Sequence, residues 1–353
     1  MTSIYRTAII IAILILMIVS CSSPTESEPQ LADDFFDNFP GQLESDFGDQ
    51  AILKSDGTLW VFGANTTGRI GNGTMIPTDT PQKIENLNSV VAVDFLVGGV
   101  AAADINGDIW VWGDRMTYSS DTVLTKPTKI SHLTGVISIQ MYGSYIRLLR
   151  VDGSVWQLLW DYRTPSKYVT PDKIEGMENI CQISNSLALK NDGRICPFPN
   201  RITGIPEQND LIQNLDNIDQ IYEMYHRFVV ILKNDHTVWA WGKNSSGTLG
   251  NGTTDDSNIP VMVQNIDQAK SISVDGSRCL ALKNDGTVWF WGLITTNSKQ
   301  GTIYQETPVR IENLENVKLI KAGGSDLSIV MKSDNTYWVF NPTNFEVQKV
   351  LFN

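Results

Sequence analysis

The sequence is short of the residues that mark the common chemistries. Its three histidines, at 132, 226 and 236, stand apart, and no CxxC or HExxH spacing occurs, so no metal centre is expected. Basic residues are few. Lys and Arg total 27 against 39 Asp and Glu, a net charge of −12 with no basic run. That composition excludes a surface that tracks a phosphate backbone, hence no nucleic-acid partner, and it excludes electrostatic attachment to anionic lipid. The longest apolar run, AIIIAILILMIV at 8–19, falls short of the roughly twenty residues that a membrane-spanning helix needs. No Ser-His-Asp set can be proposed from spacing, so no catalytic residue and no cofactor are assigned, and the chain is not read as an enzyme.

What is present is a repeated ten-residue piece. KNDGTVWFWG at 283–292 places an Asn-Asp-Gly turn between two short strands rich in apolar, β-branched and aromatic residues. The tight turns of hairpins need positive φ, which Gly adopts without steric cost. The piece recurs as KSDGTLWVFG (54–63), DINGDIWVWG (104–113), RVDGSVWQLL (150–159), KNDGRICPFP (190–199), KNDHTVWAWG (233–242) and KSDNTYWVFN (332–341). The turn residues Gly57, Gly107, Gly153, Gly193, His236, Gly286 and Asn335 are separated by 50, 46, 40, 43, 50 and 49 residues. Where Gly is lost, Asn and His replace it, two of the types that best tolerate the left-handed region. Trp60, Trp110, Trp156, Trp239, Trp289 and Trp338 each follow the turn residue by three. Side chains alternate across a strand, so Trp289 and Trp291 share one face while Val288 and Phe290 share the other. Both faces are apolar, as in a sheet covered on both sides, and the tryptophans are read as core.

A second half-motif lies between the hairpins. PQKIENLNSVVAV (81–93), PTKISHLTGVISI (127–139), PDKIEGMENICQI (171–183), PVMVQNIDQAKSI (260–272) and PVRIENLENVKLI (308–320) each give a proline, a strand, a turn and another strand. Proline suits a strand edge. Each period therefore supplies about four short strands, the content of one propeller blade. The expectation is an all-β chain, a seven-bladed β-propeller of four-stranded blades over residues 42–353. FEVQKVLFN (345–353) lacks the strand that should follow it, and QLESDF (42–47) supplies one at the other end. The chain ends are thus expected to meet, with 346–351 beside the first blade.

With DGTLWVFGANTTGRIGNG at 56–73 and DHTVWAWGKNSSGTLGNG at 235–252, the chain resembles the regulator of chromosome condensation repeat propellers, whose signature is DGxVWxWGxNxxGxLGxG. The resemblance implies the seven-bladed fold from about residue 42 onward. Founding members work in the nucleus with chromatin and a small GTPase, and nothing in this acidic chain matches that setting. Secreted bacterial members include a beta-lactamase inhibitor, so inhibition or scaffolding of an envelope enzyme is the specific expectation that the resemblance implies.

The N-terminus points to export. MTSIYR is weakly basic, the apolar core follows, and Ile18-Val19-Ser20-Cys21 resembles the bacterial lipobox, whose cysteine carries lipid after cleavage. Residues 1–20 are read as a lipoprotein signal peptide. Residues 21–41, beginning SSPTESEPQ after the cysteine, are read as a lipid-anchored tether. The expected location is extracytoplasmic, on the cell membrane or outer membrane through Cys21. Cys181 and Cys196, in strands of one blade, could bridge in an oxidising compartment; buried thiols at Cys181, Cys196 and Cys279 are the preferred reading.

Such a frame serves recognition. Equivalent turns of the blades include Tyr142, Tyr145, Tyr225, His226, Arg227, Arg278 and Asp326, and Tyr and Arg are enriched in binding hot spots. The expected partner is an unidentified protein of the envelope, bound by a monomer. A cell-wall or glycan-binding module would instead use Tyr118, Tyr162 and Tyr168, and an enzyme acting on polysaccharide would need converging carboxylates. GRIGNG (68–73) has the look of a phosphate loop but precedes a coil instead of a helix. TTDDSN (253–258) lacks calcium-loop spacing and is read as a solvated loop.

Overall fold

In the computed structural model the described residues are 39–46, 48–96, 98–114, 123–160, 167–199, 215–224, 227–297, 301–323 and 327–352. The hairpin chemistry sets the local structure. All seven turn residues have positive φ, including His236 at 66° and Asn335 at 63°. Beside the turn, Asp285 Oδ1 accepts the Thr287 N–H at 3.0 Å and the Thr287 hydroxyl at 2.7 Å. That hydroxyl oxygen in turn accepts the Trp289 indole N–H at 3.2 Å. The same bracket recurs at Asp56, Asp235 and Asp334, and with Ser154 in place of threonine at Asp152.

The strands follow in chain order. The first sheet joins β1 (Gln42–Asp46), β2 (Asp49–Leu53), β3 (Leu59–Gly63) and β4 (Thr78–Lys83). The second joins β5 (Val90–Leu96), β6 (Gly99–Asp104), β7 (Asp108–Gly113) and β8 (Leu124–His132). The third joins β9 (Val136–Tyr142), β10 (Tyr145–Arg150), β11 (Val155–Leu159) and β12 (Asp172–Lys173). Among the described residues the fourth has three strands, β13 (Ile180–Ile183), β14 (Leu187–Lys190) and β15 (Ile195–Pro197). The fifth joins β16 (Ile218–Met224), β17 (Phe228–Lys233), β18 (Val238–Gly242) and β19 (Ser257–Met262). The sixth joins β20 (Ala269–Asp275), β21 (Arg278–Lys283), β22 (Val288–Asn297) and β23 (Gly301–Arg310). The seventh joins β24 (Val317–Lys321), β25 (Ser328–Lys332), β26 (Tyr337–Asn341) and β27 (Glu346–Lys349). Seven antiparallel sheets of consecutive strands make the fold a seven-bladed β-propeller. Pro81, Pro127, Pro260 and Pro308 all sit in a fourth, outermost strand, where a missing N–H breaks no ladder.

The chain divides into two compact units, one ending at Ile183 but including Phe352, the other running from Ser184 to Leu351. Within the second unit the expected alternation holds. Trp291, Cys279 and Ala281 pack with Val230, Leu232 and Ala240 of the fifth blade. Val288, Phe290, Leu280 and Leu282 pack with Val330 and Phe340 of the seventh. In the first unit one core cluster runs from Ala51 and Leu53 through Val100 and Trp112 to Ile146 and Leu148.

First strands of adjacent blades do not pair as ladders; side chains link them instead. Gln42 donates Nε2–H to the Val93 carbonyl at 2.7 Å and accepts the Val93 N–H at 3.2 Å. Gln220 does the same to Lys270 and Ile272 at 3.2 and 3.1 Å. Asp94 accepts the Met141 N–H at 2.6 Å, and Ser273 Oγ accepts the Ala322 N–H at 3.0 Å. These contacts satisfy backbone groups that a bare edge would leave unpaired.

Three readings are refined. The first tryptophan of each hairpin is only half-buried, whereas Trp112, Trp241 and Trp291 are among the largest fully buried side chains. Cys196 is a free, half-buried thiol not bridged to Cys181, and Cys181 is disulfide-bonded, so of the three expected buried thiols only Cys279 is one. Residues 346–349 pair with β26 as the fourth strand of the seventh sheet; the residue that reaches the first blade is Phe352, whose ring meets Trp60 edge-on with centroids 5.2 Å apart. The expected signal peptide, residues 1–20, and Cys21 lie outside the described residues. Among the described residues no helix is long and apolar enough to cross a membrane.

Candidate interaction surface

In each complete blade the turn between first and second strands and the connection between third and fourth leave from the same end. Glycine-rich sequence at 63–76 and 242–255 makes two of those connections, and its polar groups are consumed internally. Buried Asn65 donates Nδ2–H to the Thr74 and Ile76 carbonyls at 3.1 and 2.9 Å, and its Oδ1 accepts the Ile70 N–H at 3.0 Å. Asn244 repeats the arrangement with Thr253, Asp255 and Leu249 at 2.9, 3.0 and 2.9 Å. Each loop then receives the buried tryptophan of the following blade. Trp112 donates its indole N–H to the Arg69 carbonyl at 2.7 Å, and Trp291 donates to the Thr248 carbonyl at 2.9 Å. Four amides of GRIGNG are also taken, Gly68 N–H on Asn65 O, Ile70 N–H on Asn65 Oδ1, Gly71 N–H on Gly68 O and Gly73 N–H on Thr125 O. In the other loop Asp256 accepts the Asn244 N–H and the Lys243 ammonium. These loops are clasps between blades.

Arg69 anchors the first blade's end. Its guanidinium lies 2.8 Å from Asp46 Oδ2 and 2.8 Å from Asp49 Oδ2, and its side chain is 1% exposed. Burial pushes the Asp49 carboxyl above the ordinary aspartate value, against the pull of Arg69.

Of the rim residues expected from sequence, Tyr142 and Tyr145 come together as register partners across the two-residue turn Gly143-Ser144. Tyr145 is 43% exposed. The Arg147 guanidinium sits 4.9 Å from the Tyr142 ring centroid and steadies it from below. Arg227 is exposed, its N–H donating to Met224 O at 2.8 Å to close its turn. Arg278 belongs to the framework: it is buried, and its guanidinium donates to the carbonyls of Leu293, Ile294 and Gly323 at 3.0, 2.8 and 3.3 Å. Tyr225, His226 and Asp326 lie outside the described residues, as do Tyr118 and Tyr162. Tyr168 is 57% exposed, on a segment that pairs with β8 through Val169 N–H on Ile130 O.

The hairpin end carries a feature that the sequence reading passed over. A lysine at or just past the end of the second strand lies over the half-buried tryptophan of the third: Lys54 over Trp60 at 4.3 Å, Lys283 over Trp289 at 5.2 Å and Lys332 over Trp338 at 4.6 Å. Burial lowers the Lys54 pKa, with Asp56 opposing. The recurrent Lys-x-Asp-Gly spacing was the available signal. On the second blade, Asp108 accepts from Lys129 at 2.6 Å and His132 at 2.8 Å. Burial alone would raise that carboxyl, and the two hydrogen bonds outweigh it and hold it below the ordinary range. The adjacent Ser131 hydroxyl is directed to the Val169 carbonyl at 2.6 Å, so it offers this His–Asp pair no nucleophile. Among the described residues no three His, Cys, Asp or Glu side chains gather to hold a metal ion.

Comparison with known proteins agrees with this architecture. Residues 56–99 and 235–279 match the Regulator of chromosome condensation (RCC1) repeat. The chain is 27% identical over 253 residues to the E3 ubiquitin-protein ligase HERC2 of Mus musculus, covering 62% of this chain and 5% of that protein. It is 21% identical over 316 residues to the Protein RCC2 homolog of Xenopus laevis, covering 83% and 58%. Against the Ultraviolet-B receptor UVR8 of Arabidopsis thaliana it is 23% identical, covering 64% and 56%. The chain thus spans less than two thirds of each of these relatives. Among solved structures, Prp20p of Saccharomyces cerevisiae aligns over 90% of this chain and 74% of its own, with 16% identity and a TM-score of 0.45. Residues 56–99 and 235–279 are thus RCC1 repeats set in a seven-bladed β-propeller, and the chain is similar to RCC1-family proteins.

Proposed function

We propose that this propeller is a lipid-anchored, extracytoplasmic protein-binding module that inhibits or scaffolds an enzyme of the cell envelope. The observation that carries the binding reading is the Tyr142–Tyr145 pair, one ring exposed and the other steadied by Arg147, on a two-residue turn. Tyrosine held rigidly on a tight turn supplies large amphipathic contact area at low entropy cost. The anchor rests on the lipobox-like Ile18–Cys21 and the polar stretch after it. The matched relatives include a ubiquitin ligase and a light receptor, so no single activity comes with the repeat.

One experiment addresses both halves. Wild type, Cys21→Ser and Tyr145→Ala are expressed with a labelled lipid precursor, then captured from envelopes for mass spectrometry. Lipid label should vanish only in Cys21→Ser, and a co-captured envelope protein should be lost only in Tyr145→Ala. Equal labelling of wild type and Cys21→Ser refutes the anchor; equal capture by wild type and Tyr145→Ala refutes the binding turn.

A further inference from the structure

The two clasp loops share one backbone and differ in what they show to solvent. Met75 and Ile76 stand where the fifth blade has Thr254 and Asp255, an equivalence set by Asn65 on Ile76 O and Asn244 on Asp255 O. It is also set by the ladder, which pairs Gly63 with Thr78 and Gly242 with Ser257. The common framework therefore accepts polar residues at these positions, yet in the first blade Met75 is 47% and Ile76 68% exposed. Single exposed apolar side chains are ordinary, and the fifth blade shows Ile259 and Met262 on its outer strand. Two adjacent ones at the tip of a pinned loop are a different case. Asn65 holds the carbonyls on either side of Met75, the Asn72 carboxamide oxygen accepts from the Thr74 N–H at 3.0 Å, and Pro77 fixes the exit. Ordering this loop on binding costs little because it is already ordered.

A charge stands against the same loop, at Gly73, two residues before Met75. A Cβ built on Gly73 would lie 2.7 Å from Lys126 Cε and 3.6 Å from its Nζ, and the Gly73 N–H donates to Thr125 O at 2.8 Å. Lys126 is exposed and forms no ion pair among the described residues. In a chain of net charge −12, an exposed ammonium held against the loop that carries two exposed apolar side chains defines a complementary ligand.

We infer that the Met75–Ile76 tip with Lys126 is a docking point for a partner protein's segment that sets apolar side chains beside a carboxylate. The inference rests on the protein-binding reading above and adds a specific place to it.

The test uses a phage-displayed random-peptide library, selected on the wild-type protein and counter-selected on Met75→Thr/Ile76→Asp, which transplants the fifth blade's residues onto the same backbone. Enriched peptides should pair apolar residues with Asp or Glu. They should bind the double variant at least about tenfold more weakly, lose affinity also for Lys126→Glu, and bind Tyr145→Ala unchanged. Lys126→Glu leaves the loop tip intact, so it reads the contact even if the double variant melts early. No enriched sequence, or equal binding to wild type and both variants, overturns the inference. Peptides lost on Tyr145→Ala but kept on the loop variants also overturn it, while leaving the general binding reading standing. Sedimentation showing self-association that needs Met75 and Ile76 would make the occupant a second copy. Flotation with phosphatidylcholine vesicles that needs the same residues would make it a lipid surface; either result replaces the partner named here.

Discussion

Truncating Trp291 and truncating Trp289 should have clearly different costs, although the two lie two residues apart on one face of one strand. Trp291 has no exposed surface and donates its indole N–H to Thr248 O at 2.9 Å. A buried indole covers roughly 150–250 Å², which at about 25 cal/mol per Å² is an upper figure of about 4–6 kcal/mol. Measured core truncations of this size run about 3–5 kcal/mol. The Thr248 carbonyl would keep only the Cys279 thiol, whose sulfur is 3.7 Å away, a further loss of about 1 kcal/mol. Trp289 is half-buried, bonded to its own strand's Thr287 and covered by Lys283, so about 2 kcal/mol is expected for Trp289→Ala on the same area scale. Trp291→Phe, which keeps most of the packing but removes the donor, should fall between them. Urea unfolding followed by circular dichroism reads all three. If Trp289→Ala proves as damaging as Trp291→Ala, the clasp is not what holds this face.

Other perturbations follow from the same geometry. The Thr287 hydroxyl and N–H hold the Asp285 carboxyl below its ordinary 3.8, so the stabilisation is full above that value and is lost as pH falls through the lower folded pKa. Thr287→Val should therefore be less stable than wild type at pH 7, by under about 1 kcal/mol because the Asp285 carboxylate is exposed, and the gap should close in acid melts below pH 3.8; a constant gap would contradict the hydrogen bond. Gly63→Ala places a Cβ 2.2 Å from the Gly48 carbonyl oxygen at a φ of 131°. It should cost more than Gly143→Ala, which meets nothing within 4 Å and carries only the left-handed penalty of about 1–2 kcal/mol; thermal melts in the opposite order would refute this. Burial pushes the Cys279 thiol far above its usual range and raises that of half-buried Cys196, so iodoacetamide at neutral pH should label Cys196 slowly and Cys279 only after unfolding. Rapid labelling of Cys279 in the native protein would show that the sixth blade opens.

The hairpins were legible because their chemistry is local: positive φ at the turn, a carboxylate bracket two residues long, and period-two alternation all lie within ten residues. Burial of the two tryptophans was not, since it depends on a loop of the preceding blade some 43 residues earlier. Arg278 illustrates the same limit. A charged residue beside a Gly-Ser turn reads as exposed, and only the course of β22 beyond Gly292 reveals the carbonyls that enclose it. Tyr142 and Tyr145 were legible as neighbours because a tight turn sets their register, but the steadying Arg147 occupies a position where other blades carry Ala, Val, Leu or Ile, and no repeat pattern announces it. The lysines over the tryptophans follow an equally local rule, each standing three residues before the turn residue and six before the tryptophan it covers.

The clasps also impose a direction in time. A loop such as 244–252 leaves the ribosome before the indole that fills it, and Trp291 follows its acceptor Thr248 by 43 residues. At every such junction the socket is finished first and stands empty until the next blade's third strand has been made. A nascent chain halted between the two presents an apolar hollow with an unsatisfied carbonyl at its floor. Each of these blades is therefore completed by its successor, and a cut placed just after a socket leaves a less sound fragment than one placed just after the indole that fills it.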